Sequence, residues 1–334
     1  MTADLTMQAL VVDSFETGLF RLAQVPRPQI GDHDVLVRVI ASGVNPIDSK
    51  IRTGKAPHGG MTAPCILGTD MAGIVEEVGI GVSEFEVGDQ VYGLAGGAGG
   101  EQGSLAQYMA VDADLLAPKP KNLSLHEAAA VPLVALTAYE GLADRAQVQA
   151  GDRVLVTGGA GGVGHMAVQI AASAGAQVYA TVSAGKAEIV RGYGATPIDR
   201  DEPVTEYVQR ITEGVGFDLA FDTVGGKPLD DCMSAIRNYG RVASCYGWGA
   251  HDLKSLSRHG ATYSGVFVLL PLITGERRGH HGWILREITR LIETGQLKPM
   301  VDDRRFTFAN ALEAHELVES GKSSGKVVID VQPE

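Results

Sequence analysis

The first third of the chain consists of short apolar runs of strand length. QALVVD from Gln8, DVLVRVIAS from Asp34, AGIVEEVG from Ala72, DQVYG from Asp89 and SLAQYMAV from Ser104 are rich in valine and separated by Gly, Pro and Asp. Such punctuation ends strands and turns the chain, so the pattern predicts an all-β domain with irregular loops. It changes near His126, where LHEAAAVPLVALTAYEGL takes helical spacing, broken at Pro132. From Asp152 onward strands alternate with helices. The strands are RVLVTG, QVYATVS, ATPID, FDLAFDTV, GRVASCYG and TYSGVFVLL, and Val204, Val208 and Ile211 mark one helix between them. That alternation predicts a parallel sheet covered on both faces, the α/β class. Beyond Leu270, WILREITRLIETGQ sets Ile284, Ile288, Leu291 and Ile292 on one helical face. A short strand, a helix over 310–319 and the terminal strand KVVIDV follow, and these can return to the β-rich domain. The expected boundaries are 1–126 with 271–334 for that domain and 127–270 for the α/β domain.

Five glycines fall between Gly158 and Gly164, directly after the run VLVT. Gly158, Gly161 and Gly164 satisfy G-x-x-G-x-x-G, a weak signal alone in a chain with 43 glycines. Context strengthens it: a strand precedes, a helix follows, and a second strand ends at Ser183, closing a βαβ unit of ~30 residues. Gly161 and Gly162 then let backbone approach a pyrophosphate, and the helix N-terminus offers free N–H groups and its positive dipole end. The plainer alternative is a tight strand–helix turn with no ligand. NAD-specific folds place an acid about 20 residues further on, at the end of the second strand. Here that place holds Thr181, Val182 and Ser183, with Lys186 close behind and Arg200 ending the next strand. Ser183 and two cations suit a ribose 2′-phosphate, and charge-assisted bonds of ~1.5–3 kcal/mol each would favour NADPH over NADH at least about tenfold. The alternative leaves both cations merely solvated.

Charge narrows the partners. Forty acidic residues against 28 Lys and Arg give a net charge of −12, which disfavours nucleic acid and anionic membranes. Cys65, Cys232 and Cys245 are widely spaced, as suits a reducing cytosol. MTADLTMQALVVD has no basic segment leading an apolar core, so no signal peptide is expected, and VFVLLPLI is far short of the ~18–20 residues of a membrane span. A cytoplasmic protein acting on a small molecule is the expectation.

The chain resembles the medium-chain dehydrogenases/reductases over nearly its whole length. The likeness rests on ASGVNPIDSKIRTG at 41–54, PCILGTDMAGIVEEVG at 64–79, FEVGDQVYG at 85–93, LTAYEGL at 136–142, the glycine loop and the ending GKVVIDV. It implies a GroES-like catalytic domain, completed by the C-terminal segment, beside a Rossmann domain with a doubly wound parallel sheet. Zinc enzymes of that superfamily carry Cys where Asn45 stands and Gly-His-Glu where Gly68, Thr69 and Asp70 stand, and LAGGAGGEQGS replaces their cysteine-rich lobe. No zinc is therefore expected, and the pair His280–His281 reads as surface or capping. The N-P-x-D-x-K stretch, Asn45, Pro46, Asp48 and Lys50, is similar to the zinc-independent quinone oxidoreductase branch, which includes zeta-crystallin and the enone and alkenal reductases.

That likeness implies Asn45 and Thr137 beside the nicotinamide, with Gly158, Gly161, Gly162, Val163 and Gly164 at the pyrophosphate. It implies Ser183, Lys186 and Arg200 at the 2′-phosphate, Tyr246 and Gly247 along the adenosine, and Phe267 near the carboxamide. The implied catalytic set is Asn45, Asp48 and Lys50, with Lys50 donating to the carbonyl oxygen that gains charge as hydride arrives. Lys50 reads equally as an exposed cation, Asp48 as a turn residue, and Tyr246 and Trp248 as packing anchors rather than a stacking surface. Quinone reductases often carry Tyr at the place of Lys50, which tilts the reading towards enones. A homodimer is expected, paired through an apolar edge strand GVFVLLPL. The rival readings are a zinc-type alcohol dehydrogenase with atypical ligands and a non-catalytic NADPH-binding protein.

Overall fold

The computed structural model describes residues 6–334; Met1–Leu5, the start of the stretch read for a signal peptide, lie outside the described residues. Two compact units make up the chain. The first comprises Met1–Leu133, Leu269–Gly295 and Pro299–Glu334, and the second Val134–Val268 with Gln296–Lys298.

The first unit opens with β1 (Thr6–Val12), β2 (Phe20–Pro26), β3 (Asp34–Val44), α1 (Pro46–Arg52), β4 (Cys65–Ile66) and β5 (Asp70–Val78). It continues with β6 (Gln90–Leu94), β7 (Tyr108–Asp112), β8 (Leu116–Pro118) and α2 (Leu125–Ala129). The second unit begins inside α3 (Pro132–Tyr139) and runs through β9 (Arg153–Val156), α4 (Gly162–Ser173), β10 (Gln177–Val182), α5 (Ala187–Gly192) and β11 (Ala195–Asp199). Then come α6 (Val204–Thr212), β12 (Phe217–Asp222), α7 (Lys227–Ala235), β13 (Ile236–Ser244), α8 (Lys254–His259) and β14 (Thr262–Gly265). The chain re-enters the first unit with α9 (Leu270–Thr274), α10 (Arg278–Glu293), β15 (Phe306–Thr307), α11 (Ala311–Glu319) and β16 (Val327–Asp330).

In the first unit β3 is the hub. Its run VLVRVIASGV is buried along nearly all its length because both faces are covered, so it is apolar at successive positions, apart from Arg38 and Ser42, rather than alternating. β5 and β16 flank it antiparallel, with Gly43 opposite Asp70 and Val44 opposite Val327. The C-terminal strand thus completes the sheet begun by the N-terminal third. Leu10, Val12, Val44, Ile51, Leu67, Leu105, Phe306, Ala311 and Ile329 form the core that joins strands, α1 and α11. The two helices are tied further by Arg52, whose guanidinium donates to Glu319 Oε1 at 2.7 Å. The loop LAGGAGGEQGS, at 94–104, is tightly packed: a Cβ on Gly103 would lie 2.2 Å from the carbonyl carbon of Leu67.

The second unit carries a six-stranded, all-parallel sheet in the order β11-β10-β9-β12-β13-β14. This is the doubly wound Rossmann order, and its direction reverses between β9 and β12. At that reversal the loops leave the strands in opposite directions, opening a crevice at the carboxyl ends. Val204, Val208 and Ile211 of α6 pack on the core of Leu155, Ile198, Phe217 and Ile236.

Two expectations need correction. TYSGVFVLL is a strand only to Gly265; Val266, Val268 and Leu269 are buried outside any strand, and α9 begins at Leu270. A short apolar run reports burial, and burial alone does not distinguish a strand from a packed turn. The apolar edge strand therefore does not exist as expected, although the shorter β14 does end the sheet. His281 is fully buried within α10, beside the Ile284 and Ile288 face, and only His280 lies nearer the surface, stacked on Trp283 at 5.6 Å. The break expected at Pro132 is present: α2 ends at Ala129 and Pro132 opens α3, at a position where a missing N–H leaves nothing unsatisfied. Among the described residues, no helix is long and apolar enough to cross a membrane.

Candidate active site

Where β3 gives way to α1, Asn45 is the extended N-cap residue (φ −119°, ψ 152°), and Pro46 follows with the fixed φ that starts a helix. Asp48, one turn in, accepts the Asn45 N–H at 2.8 Å through Oδ2. The Asn45 side chain, 0% exposed, donates through Nδ2 to Asp70 Oδ2 at 2.8 Å and to Thr69 Oγ1 at 3.1 Å. Its Oδ1 accepts from the Lys326 ammonium, which also donates to the Val44 carbonyl at 3.0 Å. Lysine only donates, which fixes which end of the amide faces it. Lys326 Nζ lies 3.7 Å from Asp70 Oδ2, and the Leu133 N–H donates to Asp70 Oδ1 at 2.8 Å.

These groups are deeply buried: Asp48 is 1% and Lys326 5% exposed. Burial pushes the Asp48 carboxyl up to about 7, helped by the nearby Asp70 charge and opposed by the Asn45 N–H and the Lys326 ammonium. Burial likewise raises Asp70 and lowers Lys326, and the attraction between the two opposes both shifts. Asp48 Oδ1 makes no hydrogen bond. Sequence reading named Asn45 and Asp48 but passed over Lys326, which lies 281 positions away from Asn45, and the roles of Thr69 and Asp70. The one available signal was a lysine immediately ahead of an apolar terminal strand. Lys50, the third implied catalytic residue, sits half-buried in the last turn of α1.

A catalytic zinc needs three protein ligands with free lone pairs. Beside Asp70 stand an amide NH2 and an ammonium instead, and both would repel a cation. Among the described residues no group of three or more His, Cys, Asp or Glu side chains is arranged to hold a metal. The donor set does not fit zinc.

In the second unit the loop between β9 and α4 is stitched to β10. Gly158 N–H donates to Thr181 Oγ1 at 3.2 Å and Gly159 N–H to the Thr181 carbonyl at 3.1 Å. Gly161 caps α4, so Gly162, Val163 and Gly164 form its first turn, whose N–H groups have no acceptor within the helix. A Cβ on Gly164 would lie 2.1 Å from the Gly158 carbonyl oxygen, so only glycine lets the helix start so close to the loop. The cradle fits a dinucleotide pyrophosphate. Ser183 directly follows β10, and the Arg200 N–H donates to the Val182 carbonyl at 2.9 Å, which sets Arg200 beside Ser183. Lys186 N–H closes a turn onto the Ser183 carbonyl at 2.9 Å. The exposed Arg200 guanidinium approaches Asp201 at 3.9 Å, a loose pairing that a phosphate can displace.

At the carboxyl ends of β13 and β14, Tyr246 and Trp248 are partly exposed, and Phe267 meets Trp248 edge to face at 5.9 Å. Gly247 is confined: a Cβ there would strike the Tyr263 hydroxyl at 2.1 Å. Thr137 is buried in α3. Asp222, which the sequence did not single out, joins three strand ends at the topological reversal. It accepts from Thr157 Oγ1 and Ser244 Oγ, each at 2.8 Å, and from the N–H groups of Val224 and Gly225 at 3.1 and 3.0 Å.

A family model described as the alcohol dehydrogenase GroES-like domain matches residues 31–121, and one described as zinc-binding dehydrogenase matches residues 193–329. The chain is 34% identical over 320 residues to a 2-methylene-furan-3-one reductase of Solanum lycopersicum, covering 93% of this chain and 75% of that one. It is 33% identical over 311 residues to a chloroplastic NADPH-dependent alkenal/one oxidoreductase of Arabidopsis thaliana, covering 90% and 73%. Among solved structures, an alcohol dehydrogenase superfamily protein from Novosphingobium aromaticivorans superposes with a TM-score of 0.96 at 49% identity, over 98% of this chain and all (100%) of that one. A quinone oxidoreductase from Coxiella burnetii does so with a TM-score of 0.83 at 28% identity and the same coverage. With a GroES-like unit, a Rossmann unit and an asparagine–lysine–aspartate cluster where zinc ligands would stand, the chain belongs to the zinc-independent quinone and enone oxidoreductases of the medium-chain dehydrogenase/reductase superfamily, enzymes that use a nicotinamide cofactor.

Proposed function

We propose that the protein is an NADPH-dependent reductase of α,β-unsaturated carbonyls, with quinones as related acceptors. The observation that carries the cofactor choice is the end of β10, where Ser183, Lys186 and Arg200 gather and no carboxylate stands in positions 181–183. The names of two relatives, a furanone reductase and an alkenal/one oxidoreductase, support the substrate class.

The cofactor, when bound, supplies the hydride; the chain supplies position and field. In this reading Gly161, Gly162, Val163 and Gly164 hold the pyrophosphate, and Tyr246 and Gly247 line the adenosine. Phe267 and Thr137 border the nicotinamide. Reduction of a conjugated carbon builds negative charge on the carbonyl oxygen, which needs a donor. Lys50 fills that role, because both N–H groups of the Asn45 amide are committed to Thr69 and Asp70. Asp48, whose carboxyl burial pushes up to about 7, is the member of the buried cluster that takes up a proton as the pH falls through that value. The unpaired cysteines suit a reducing, cytoplasmic setting.

The test is oxidation of NADPH and of NADH with 9,10-phenanthrenequinone and with a simple enone, in excess EDTA. NADPH is expected to be at least about tenfold better in kcat/KM, as two charge-assisted contacts imply, and the Lys186→Ala/Arg200→Ala double variant should lose that preference. Equal use of NADH would sink the cofactor assignment. Loss of turnover in EDTA would restore a metal mechanism, and NADPH binding without turnover on either acceptor would point to a binding protein.

The reading includes a homodimer across the open edge of β14, which pairs with β13 on one side only among the described residues. Sedimentation at micromolar concentration should give a dimer, and a monomer there would remove this part of the proposal.

A further inference from the structure

The Asn45 amide offers two N–H groups and two lone pairs. Thr69 and Asp70 take the N–H groups, and Lys326 takes one lone pair. Asn45 therefore cannot donate to a substrate without abandoning Thr69 or Asp70, so its contribution must lie in a fixed shape and a fixed field. The group that fixes both comes from the far end of the chain. We infer that Lys326 is a positioning residue for the reduction: its ammonium locks the amide plane of Asn45 and neutralises Asp70, leaving Asp48 as the one carboxyl of the cluster that takes up a proton.

Three titratable groups face one another here: Asp48 from α1, Asp70 from β5 and Lys326 from the residue ahead of β16. Fully ionised, they would leave one uncompensated negative charge in a site sealed from water, an expensive state. Protonating Asp70 would orphan Lys326 and break the Asn45 and Leu133 contacts arranged around a carboxylate. Protonating Asp48 leaves Lys326 and Asp70 as a neutral pair, and the Asp48 Oδ1 atom, which has no partner, is free to carry the proton. The signs of two substitutions follow. Removing the Lys326 charge takes an attraction away from the Asp48 carboxylate and moves its titration upward from about 7. Removing the Asp70 charge takes a repulsion away and moves it downward.

The kinetic part of this inference rests on the proposed reductase function; the positioning part does not. The experiment compares wild type with Lys326→Met, Lys326→Arg and Asp70→Asn. Asn-selective ¹⁵N labelling follows the Asn45 side-chain amide, and ¹³C-carboxyl labelling follows Asp48 through its titration. Wild type and Lys326→Arg should show two resolved, slowly exchanging Asn45 amide protons, and Lys326→Met should lose them. Asp48 should titrate higher in Lys326→Met and lower in Asp70→Asn, and the pH profile of enone reduction should move the same way. Lys326→Met should lose at least about tenfold in kcat with KM and NADPH Kd little changed, a loss of about 1.4 kcal/mol in the barrier term, and Lys326→Arg should recover most of it. Protected Asn45 protons together with an unmoved Asp48 titration in Lys326→Met would overturn the inference. If Lys326→Met does not fold, the downward shift in Asp70→Asn decides, and its absence is equally fatal. If wild type reduces neither enones nor quinones, the function fails while the resonance arm still judges the positioning role.

Discussion

Replacing Gly164 by alanine is expected to weaken NADPH binding by about a hundredfold, an energy near 2.8 kcal/mol. The added Cβ would sit 2.1 Å from the Gly158 carbonyl oxygen, whereas ordinary contact begins at 3.4 Å. Either the first turn of α4 or the loop before it must retreat by about 1 Å, and a hydrogen bond near 2.9 Å stretched by that amount is lost. Charge-assisted bonds from the helix N-terminus to a pyrophosphate contribute ~1.5–3 kcal/mol each, so losing one or two accounts for the effect. Overpacking also costs about 1–3 kcal/mol of stability, read as a lower urea midpoint. Gly192→Ala is the control, since a Cβ there meets nothing within 4 Å, and it should bind NADPH as wild type does. Fluorescence titration of both variants makes the comparison. Wild-type affinity in Gly164→Ala would mean that the nucleotide lies elsewhere.

Asp222→Ala should be the most destabilising single change in the second unit. It leaves Thr157 Oγ1, Ser244 Oγ and the Gly225 N–H without their acceptor in a buried site, and takes the acceptor from the Val224 N–H at its exposed edge. Each of the three orphaned buried groups costs about 1–3 kcal/mol, so a loss of at least about 3 kcal/mol is expected, against a total stability of about 5–15 kcal/mol. Asp222→Asn keeps one acceptor and should lose roughly half as much. Because the network spans the ends of β9, β12 and β13, the Asn variant should also bind NADPH more weakly even where it stays folded. Urea unfolding and NADPH titration measure both effects. A loss below about 1 kcal/mol in Asp222→Ala would show that the loops hold their places without it.

The two halves of the functional reading differ in how far they were legible in the sequence. The βαβ unit with its glycine turn could be read from 154–183 because everything it needs is contiguous: a buried strand, glycines at the turn, a helix start and a second strand. Asn45 and Asp48 were legible for the same reason, as an N-cap residue and the residue one turn into the helix it opens. Periodicity also gave the helix faces of α6 and α10, since 3.6-residue spacing is a local property.

What failed was any inference that needed the identity of a spatial neighbour. VFVLL looked like a strand because it is apolar, yet it is apolar because it is buried, and burial does not specify backbone shape. His281 looked like a surface residue until the α10 face closed over it. Lys326 and Asp70 reach Asn45 because β16 and β5 flank β3 in one particular register, Val327 against Val44 and Asp70 against Gly43. A slip of one residue would turn either side chain to the opposite face of the sheet. The sequence by itself determined the two domain types, the glycine turn that opens α4 and the first two members of the polar cluster, because short-range spacing encodes local geometry. Only the tertiary structure decided which cation and which carboxylate complete that cluster, because strand pairing and register bring together residues that no spacing along the chain relates.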